Sequence, residues 1–151
     1  MTLIVQWRAF ADLTPSDLYD ALRLRQAVFV VEQACAFLDA DGFDRDAIHG
    51  VGRDASGELV AVVRVLPPGC RHPIPSISRL AVAKHTRSLG YGRATMAAAL
   101  LEAQRRYPQS PVHLDAQAHL ARFYASFGFV PVGEPFDDDG IPHIAMRWAP
   151  R

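Results

Sequence analysis

Leu80-Ala81-Val82-Ala83-Lys84-His85-Thr86-Arg87-Ser88-Leu89-Gly90-Tyr91-Gly92-Arg93 runs from an apolar strand through a polar, glycine-bearing turn into a helix. Gly90 and Gly92 can take backbone angles closed to other residues, and they leave no side chain in the path of a ligand. Several amide N–H groups are thereby free to point one way at the positive end of a helix dipole, with Arg87 and Arg93 adding full charges nearby. The stretch reads as a cradle for a phosphate-like anion. Two familiar glycine loops fail on spacing. A Walker loop ends in Gly-Lys-Ser/Thr, and here Gly92 is followed by Arg93 and Ala94. A dinucleotide fingerprint needs a third small residue where Thr95 stands, and the next aspartate, Asp115, lies beyond a second strand.

What remains is Arg-x-x-Gly-x-Gly at Arg87, Gly90 and Gly92. This pattern resembles the pyrophosphate-binding segment of the GNAT N-acetyltransferases. About 30 residues on, Phe123-Tyr124-Ala125-Ser126-Phe127-Gly128-Phe129 is similar to the family's Phe-Tyr, Gly-Phe signature, a gap that one helix and one strand would fill. Leu24 to Gln33, Asp39-x-Asp41-Gly42, Ala116-Gln117-Ala118-His119 and Asp139-Gly140-Ile141-Pro142-His143-Ile144 resemble the small bacterial ElaA-type subgroup, so the likeness runs from about Trp7 to Trp148.

The resemblance implies an α/β acyl-CoA N-acyltransferase fold, a mixed, mostly antiparallel central sheet flanked by helices, and acetyl-CoA as co-substrate. It implies contacts to coenzyme A from Leu80, Ala81, Val82, Arg87, Ser88, Leu89, Gly90, Tyr91, Gly92 and Arg93, and from His119, Phe123 and Tyr124. An amide N–H near Val82 would meet the developing oxyanion, and the Tyr124 hydroxyl would serve the departing thiolate. Tyr124 also belongs to an aromatic stripe with Phe123 and Phe127, which by itself reads as packing. Glu32, Gln33, Arg79 and His143 are expected on the acceptor side, with Glu32 as a catalytic carboxylate. An amine acceptor is mostly protonated at neutral pH, so a base is required. Glu32, His119, His143, Asp115 and Asp41 are the candidates, and no spacing rule selects among them. His119 is expected in the first turn of a helix, where the dipole favours the neutral imidazole.

The bulk properties agree with this class. At 151 residues and 50% hydrophobic, the chain suits one domain, residues 1–151. Sixteen basic and sixteen acidic residues cancel, so no global field recruits nucleic acid or an anionic membrane. Met1 to Phe10 lacks a leader pattern, no apolar run is long enough to span a bilayer, and Cys35 and Cys70 read as reduced thiols. A cytoplasmic protein is expected, acting on a primary amine of a small molecule, peptide or protein, with neither nucleic acid nor membrane as partner. Exposed Trp7, Trp148 or a sheet edge would serve a homodimer. A non-catalytic acyl-CoA-binding domain and a related acyltransferase are the competing readings.

Along the chain, Leu3 to Phe10 reads as an edge strand, and Thr14-Pro15 caps a helix whose apolar spacing runs through Val30. His49 to Arg53 and Leu59 to Leu66 flank a hairpin turn, and Ser76 to Ala83 is the strand that feeds the glycine turn. A long helix follows, stopped at Tyr107-Pro108; then come a short strand, Val112 to Leu114, and a helix from Leu120 to Phe127. Phe129 to Val132 and Ile141 to Trp148 close the sheet around the acidic Asp137-Asp138-Asp139, a solvated tip that would attract a cationic amine if it faced the cleft. Asp39-x-Asp41-Gly42-x-Asp44 lacks the glycine and glutamate of a calcium loop at its sixth and twelfth positions and reads as a carboxylate-capped turn. His113, Asp115 and His119 are too irregularly spaced for a zinc motif, so no metal is expected.

Overall fold

Leu59–Leu66 (β3) carries one charge, Arg64, in an otherwise apolar run, and all eight of its residues are buried. A strand buried on both faces needs cover on both faces. In the computed structural model, which describes residues 2–151, β3 lies between two antiparallel neighbours, Ile48–Arg53 (β2) and Ser76–Val82 (β4). Ile4–Ala9 (β1) forms the edge beyond β2 as expected, and Met1 lies outside the described residues. Val63 and Val65 pack with Met96, Ala99 and Ala103 of the helix Tyr91–Arg106 (α2) on one face. Val62 packs with Ala21 of Pro15–Arg25 (α1) on the other. Each fully buried aliphatic side chain of this kind contributes roughly 1.5–3 kcal/mol.

The Thr14-Pro15 start of α1 forms as read: the Thr14 hydroxyl accepts from the Asp17 amide at 3.0 Å, and Pro15 sits where no N–H is needed. The helix does not run regularly to Val30, however. It ends at Arg25 and continues as a wider π-helical turn, Gln26–Glu32. Val112–Gln117 (β5) is twice as long as its apolar core suggested, because it pairs along its length with Ile141–Trp148 (β8). The aromatic stripe yields only a short helix, Ala121–Ala125 (α3), preceded by a tight 3-10 turn, Ala118–Leu120. Val130–Pro131 (β6) and Phe136–Asp138 (β7) both pair with β8, and β7 turns into it through Asp139 and Gly140, both at positive φ. Trp7 and Trp148 are not exposed as expected; both pack partly buried against the main core.

The sheet order is β1-β2-β3-β4-β5-β8-β6, and the one parallel contact among the described residues, β4 to β5, is confined to the pair Ser76 and His113. Beyond that pair the two strands separate. On the β3 side, β4 carries a bulge: Arg64 faces Ser78 and Val62 faces Ala81, so one residue of β3 opposes both Arg79 and Leu80, and Arg79 takes φ +56°.

The 39–46 segment is more than a capped turn. Asp41 does accept from the Phe43 amide at 3.0 Å, but its principal role, with Asp39 and Asp44, is to neutralise three arginines from three elements. Arg25 reaches Asp39 and Asp44 at 2.8 and 2.7 Å. Arg64, 1% exposed, meets Asp41 at 2.6 Å and Asp44 at 2.9 Å. Arg79 lies 2.9 Å from Asp39 and 3.2 Å from Asp41. Burial alone would raise the Asp41 and Asp44 carboxyls, but hydrogen bonds and charge from Arg64 and Arg25 hold both below the ordinary carboxylate value. A polar residue in the centre of an apolar strand is the sequence signal for this network.

Arg64→Met is expected to lower the unfolding free energy by about 3–5 kcal/mol in a urea titration, since it strands two partly buried carboxylates. Folded-state values below the unfolded value of ~3.9 make this stabilisation complete above that pH and progressively lost below it, so the wild-type urea midpoint should fall below about pH 4.

Candidate active site

The parted ends of β4 and β5 open into a cleft of about 630 Å³, bounded by the turn before α2, the π-helical turn and the β7–β8 hairpin. At one end lies the glycine turn. The N–H groups of Ser88, Gly90, Tyr91, Gly92 and Arg93 have no protein acceptor among the described residues, whereas Leu89 donates to Thr86 and Ala94 to Gly90. Gly90 stands at φ +81°, a conformation that favours glycine, immediately before the 16-residue α2. A Cβ on Gly92 would meet only the Val82 side chain, at an ordinary 3.7 Å. The protein's own packing therefore does not demand glycine there, and the space it leaves faces the cleft.

Arg87 and Arg93 are already engaged. Arg87 folds back over the end of β4, donating to the Val82 carbonyl at 3.1 and 3.3 Å and to Glu32 at 2.6 Å. That hydrogen bond holds the Glu32 carboxyl below its ordinary value, which makes Glu32 a weak base while paired. Arg93 lies over the rings of Phe127 and Phe123, with its guanidinium 4.9 and 5.5 Å from their centres, and donates to Ser126. It ties the start of α2 to α3.

In the middle of the cleft, β4 presents an unpaired edge. Ala83 donates to Val60 of β3 at 2.8 Å, so by antiparallel alternation the main-chain groups of Val82 turn away from β3 and towards the gap, where Arg87 covers the carbonyl and leaves the N–H free. Ala81 is buried against the α1 face. Across from this edge, the Tyr124 hydroxyl has no protein hydrogen bond among the described residues, and burial pushes its pKa up to about 12. The phenol is fully protonated at any physiological pH, the form a donor requires.

The far half of the cleft gathers side chains from distant parts of the chain. Gln33, at the end of the π-helical turn, and Gln117 of β5 exchange amide hydrogen bonds at 3.2 and 3.3 Å. Arg79 borders the cleft but spends its charge on Asp39 and Asp41. His143 stacks on Phe136 at 5.9 Å, with Nδ1 2.7 Å from the Ile141 carbonyl. Asp138 and Asp139 line the cleft, and Cys35, an unpaired thiol, donates to the Asp139 carbonyl. His119 stands exposed on the cleft rim in the 3-10 turn rather than in a regular helix. It does not join His113 and Asp115; His72 does. His113 Nε2 is 2.9 Å from Asp115 Oδ1, His72 Nε2 is 3.5 Å from Oδ2, and the ligand atoms of the three residues all lie within 4.8 Å of one another. His72 sits in the loop after Pro67-Pro68-Gly69, where nothing local marks it, and only the tertiary fold brings it to β5.

Comparison with known proteins supplies the family. The sequence profile of the acetyltransferase (GNAT) domain matches residues 37–150. The chain belongs to the GNAT acetyltransferases. Within this family, protein ElaA of Escherichia coli is 41% identical over 95% of both chains, and a UPF0039 protein of Synechocystis is 46% identical over 93% of this chain and 91% of its own. The crystal structure of a Pseudomonas aeruginosa acyl-CoA N-acyltransferase superposes with a TM-score of 0.92 at 40% identity, covering 98% of this chain and all of the other. That of Escherichia coli ElaA gives 0.90 over 97% and 99%. The mixed, mostly antiparallel sheet with its parted β4 and β5 is thus a GNAT fold, and no helix among the described residues is long and apolar enough to cross a membrane.

Gly90→Val places a β-branched residue at positive φ and is expected to cost about 1–2 kcal/mol of stability, read from a denaturant midpoint.

Proposed function

We propose that the protein transfers the acetyl group of acetyl-CoA to a primary amine of a small molecule or peptide, by direct attack within a ternary complex. The observation that carries this reading is the set of unpartnered amides of Ser88, Gly90, Tyr91, Gly92 and Arg93 at the start of α2, continuous with the unpaired edge of β4. The amides fit a diphosphate, since a helix N-terminus and converging N–H groups favour negative charge, and the room beside Gly92 admits it closely. Acetyl-CoA supplies an activated acyl group as a thioester. The Leu80 and Val82 main chain would hold an extended pantetheine arm along the strand edge, and the Val82 N–H would donate to the carbonyl oxygen as negative charge develops there. Tyr124 would donate a hydrogen bond, then a proton, to sulfur as the C–S bond breaks. Gln33, Arg79, Glu32 and His143 border the space left for the acceptor, and the carboxylates of Asp138 and Asp139 suit a cationic amine.

Calorimetry with acetyl-CoA, coupled to thiol release across a panel of amines, tests the reading. Gly92→Asp should weaken acetyl-CoA binding about 100-fold or more, through both bulk and charge. Tyr124→Phe should retain binding and lose about 100-fold in kcat. Glu32→Gln, which frees Arg87, should tighten binding by up to about fivefold, the scale of an exposed ion pair. Binding without thiol release from any amine would instead favour a non-catalytic acyl-CoA-binding domain, and absence of binding would remove both readings.

A further inference from the structure

We infer that His72, His113 and Asp115 act together as the proton acceptor that converts the acceptor's ammonium form to the free amine before attack, an inference that rests on the acyl-transfer reading above. Their position suits that task. His113 is the residue at which β4 and β5 last pair, and Asp115 lies two residues further along the cleft-facing side of β5, where the strands have parted. His72 comes from the loop that leads into β4, and it too borders the cleft. The three residues stand at the base of the fork, all partly open to the cleft.

The geometry limits how many protons they can hold. Both Nε2 atoms face one carboxylate, at 2.9 and 3.5 Å, and the rings lie 4.0 Å apart between centres, tilted by 34°. Two imidazolium rings so close repel, whereas one imidazolium beside Asp115 is neutralised. Near neutral pH the cluster therefore carries no more than one proton beyond its neutral imidazoles, and its other imidazole stays free of charge. Arg71 adds positive charge beside His72, offset in part by Asp41 at 3.9 Å from Arg71. Burial, then the neighbouring His113, lowers the His72 pKa. Burial alone would raise Asp115, but the hydrogen bond and charge of His113 keep its carboxyl below the usual range. Asp115 thus stays ionised, and an imidazole nitrogen takes the proton.

The protons balance. The ammonium gives one to the cluster, which returns it to solvent through the open cleft. The freed amine then forms the N–C bond as the C–S bond breaks, and its second proton passes to sulfur with the help of Tyr124. Two Nε2 atoms directed at one carboxylate suit this hydrogen-bonded role.

The test uses the full chain and two acceptor classes: primary alkylamines, cationic at neutral pH, and anilines, already neutral. His72→Gln, His113→Gln and Asp115→Asn should each lower kcat on alkylamines by about 100-fold, lower it on anilines less than about fivefold, and leave calorimetric acetyl-CoA affinity unchanged, which also reports that the variants fold. Equal losses on both classes, no loss on either, or activity abolished by chelators would overturn the inference. A second measurement needs no variant: 15N imidazole titration of the wild type should show the two rings taking up protons in two well-separated steps, and independent titration at the ordinary imidazole value would overturn it. If the wild-type protein binds acetyl-CoA but releases thiol with no amine, the acyl-transfer reading fails and takes this one with it. Thiol release that the variants leave intact overturns this one alone.

Discussion

One pair of residues, Ser76 and His113, holds β4 to β5, and the cleft exists because the pairing stops there. A parallel strand pair that continued would have used the outward N–H and C=O groups of β4 in a ladder. Because it parts, Arg87 takes the Val82 carbonyl and the Val82 N–H remains available in the middle of the molecule, a state a buried main chain tolerates only where solvent or a ligand can reach it. Both strands are firmly held on their other sides, β4 by β3 and β5 by β8 along its whole length. The opening is a fixed wedge between two anchored walls.

The buried ion network explains why the β4 wall keeps its shape. Arg79 occupies a left-handed conformation in the bulge, a strained choice for a residue with a side chain. Its guanidinium is met by Asp39 and Asp41, which also bind Arg25 of α1 and Arg64 of β3. Three positive and three negative side chains balance, so no net charge is left in the interior. An irregular segment between Asp39 and Asp46 is thereby fastened to both a helix and the sheet, and the bulge is fixed by charges as well as by main-chain pairing.

The features written in local sequence were legible: the Thr14-Pro15 cap, the hairpin between β2 and β3, and the glycine turn with its positive φ at Gly90. Each depends on residues a few positions apart. The π-helical turn was not, because Gln26 to Glu32 has a spacing that a regular helix satisfies equally well. The partners of Arg64 and the company kept by His113 were also out of reach. Asp41 is 23 residues from Arg64 in the chain, and the sequence between them does not record that they meet. Arg64 itself was a clue, since a charge in the middle of so apolar a strand must find counter-charges. His72 offered no such hint. Family resemblance named Glu32 and Tyr124; the fold supplies what each one touches, an arginine for the first and no hydrogen-bonding partner for the second.

The salt link between Glu32 and Arg87 joins the π-helical turn to the anion cradle, and both residues border the cleft. One guanidinium cannot satisfy a carboxylate and an incoming diphosphate in full, so an anion that recruits Arg87 loosens Glu32 on the opposite side. Thermodynamic reciprocity then requires that any cation drawing Glu32 away must make Arg87 a better anion ligand by the same factor. Two compartments of a rigid vessel would thus sense each other's occupancy through the reassignment of a single charge, and filling would be cooperative without any hinge.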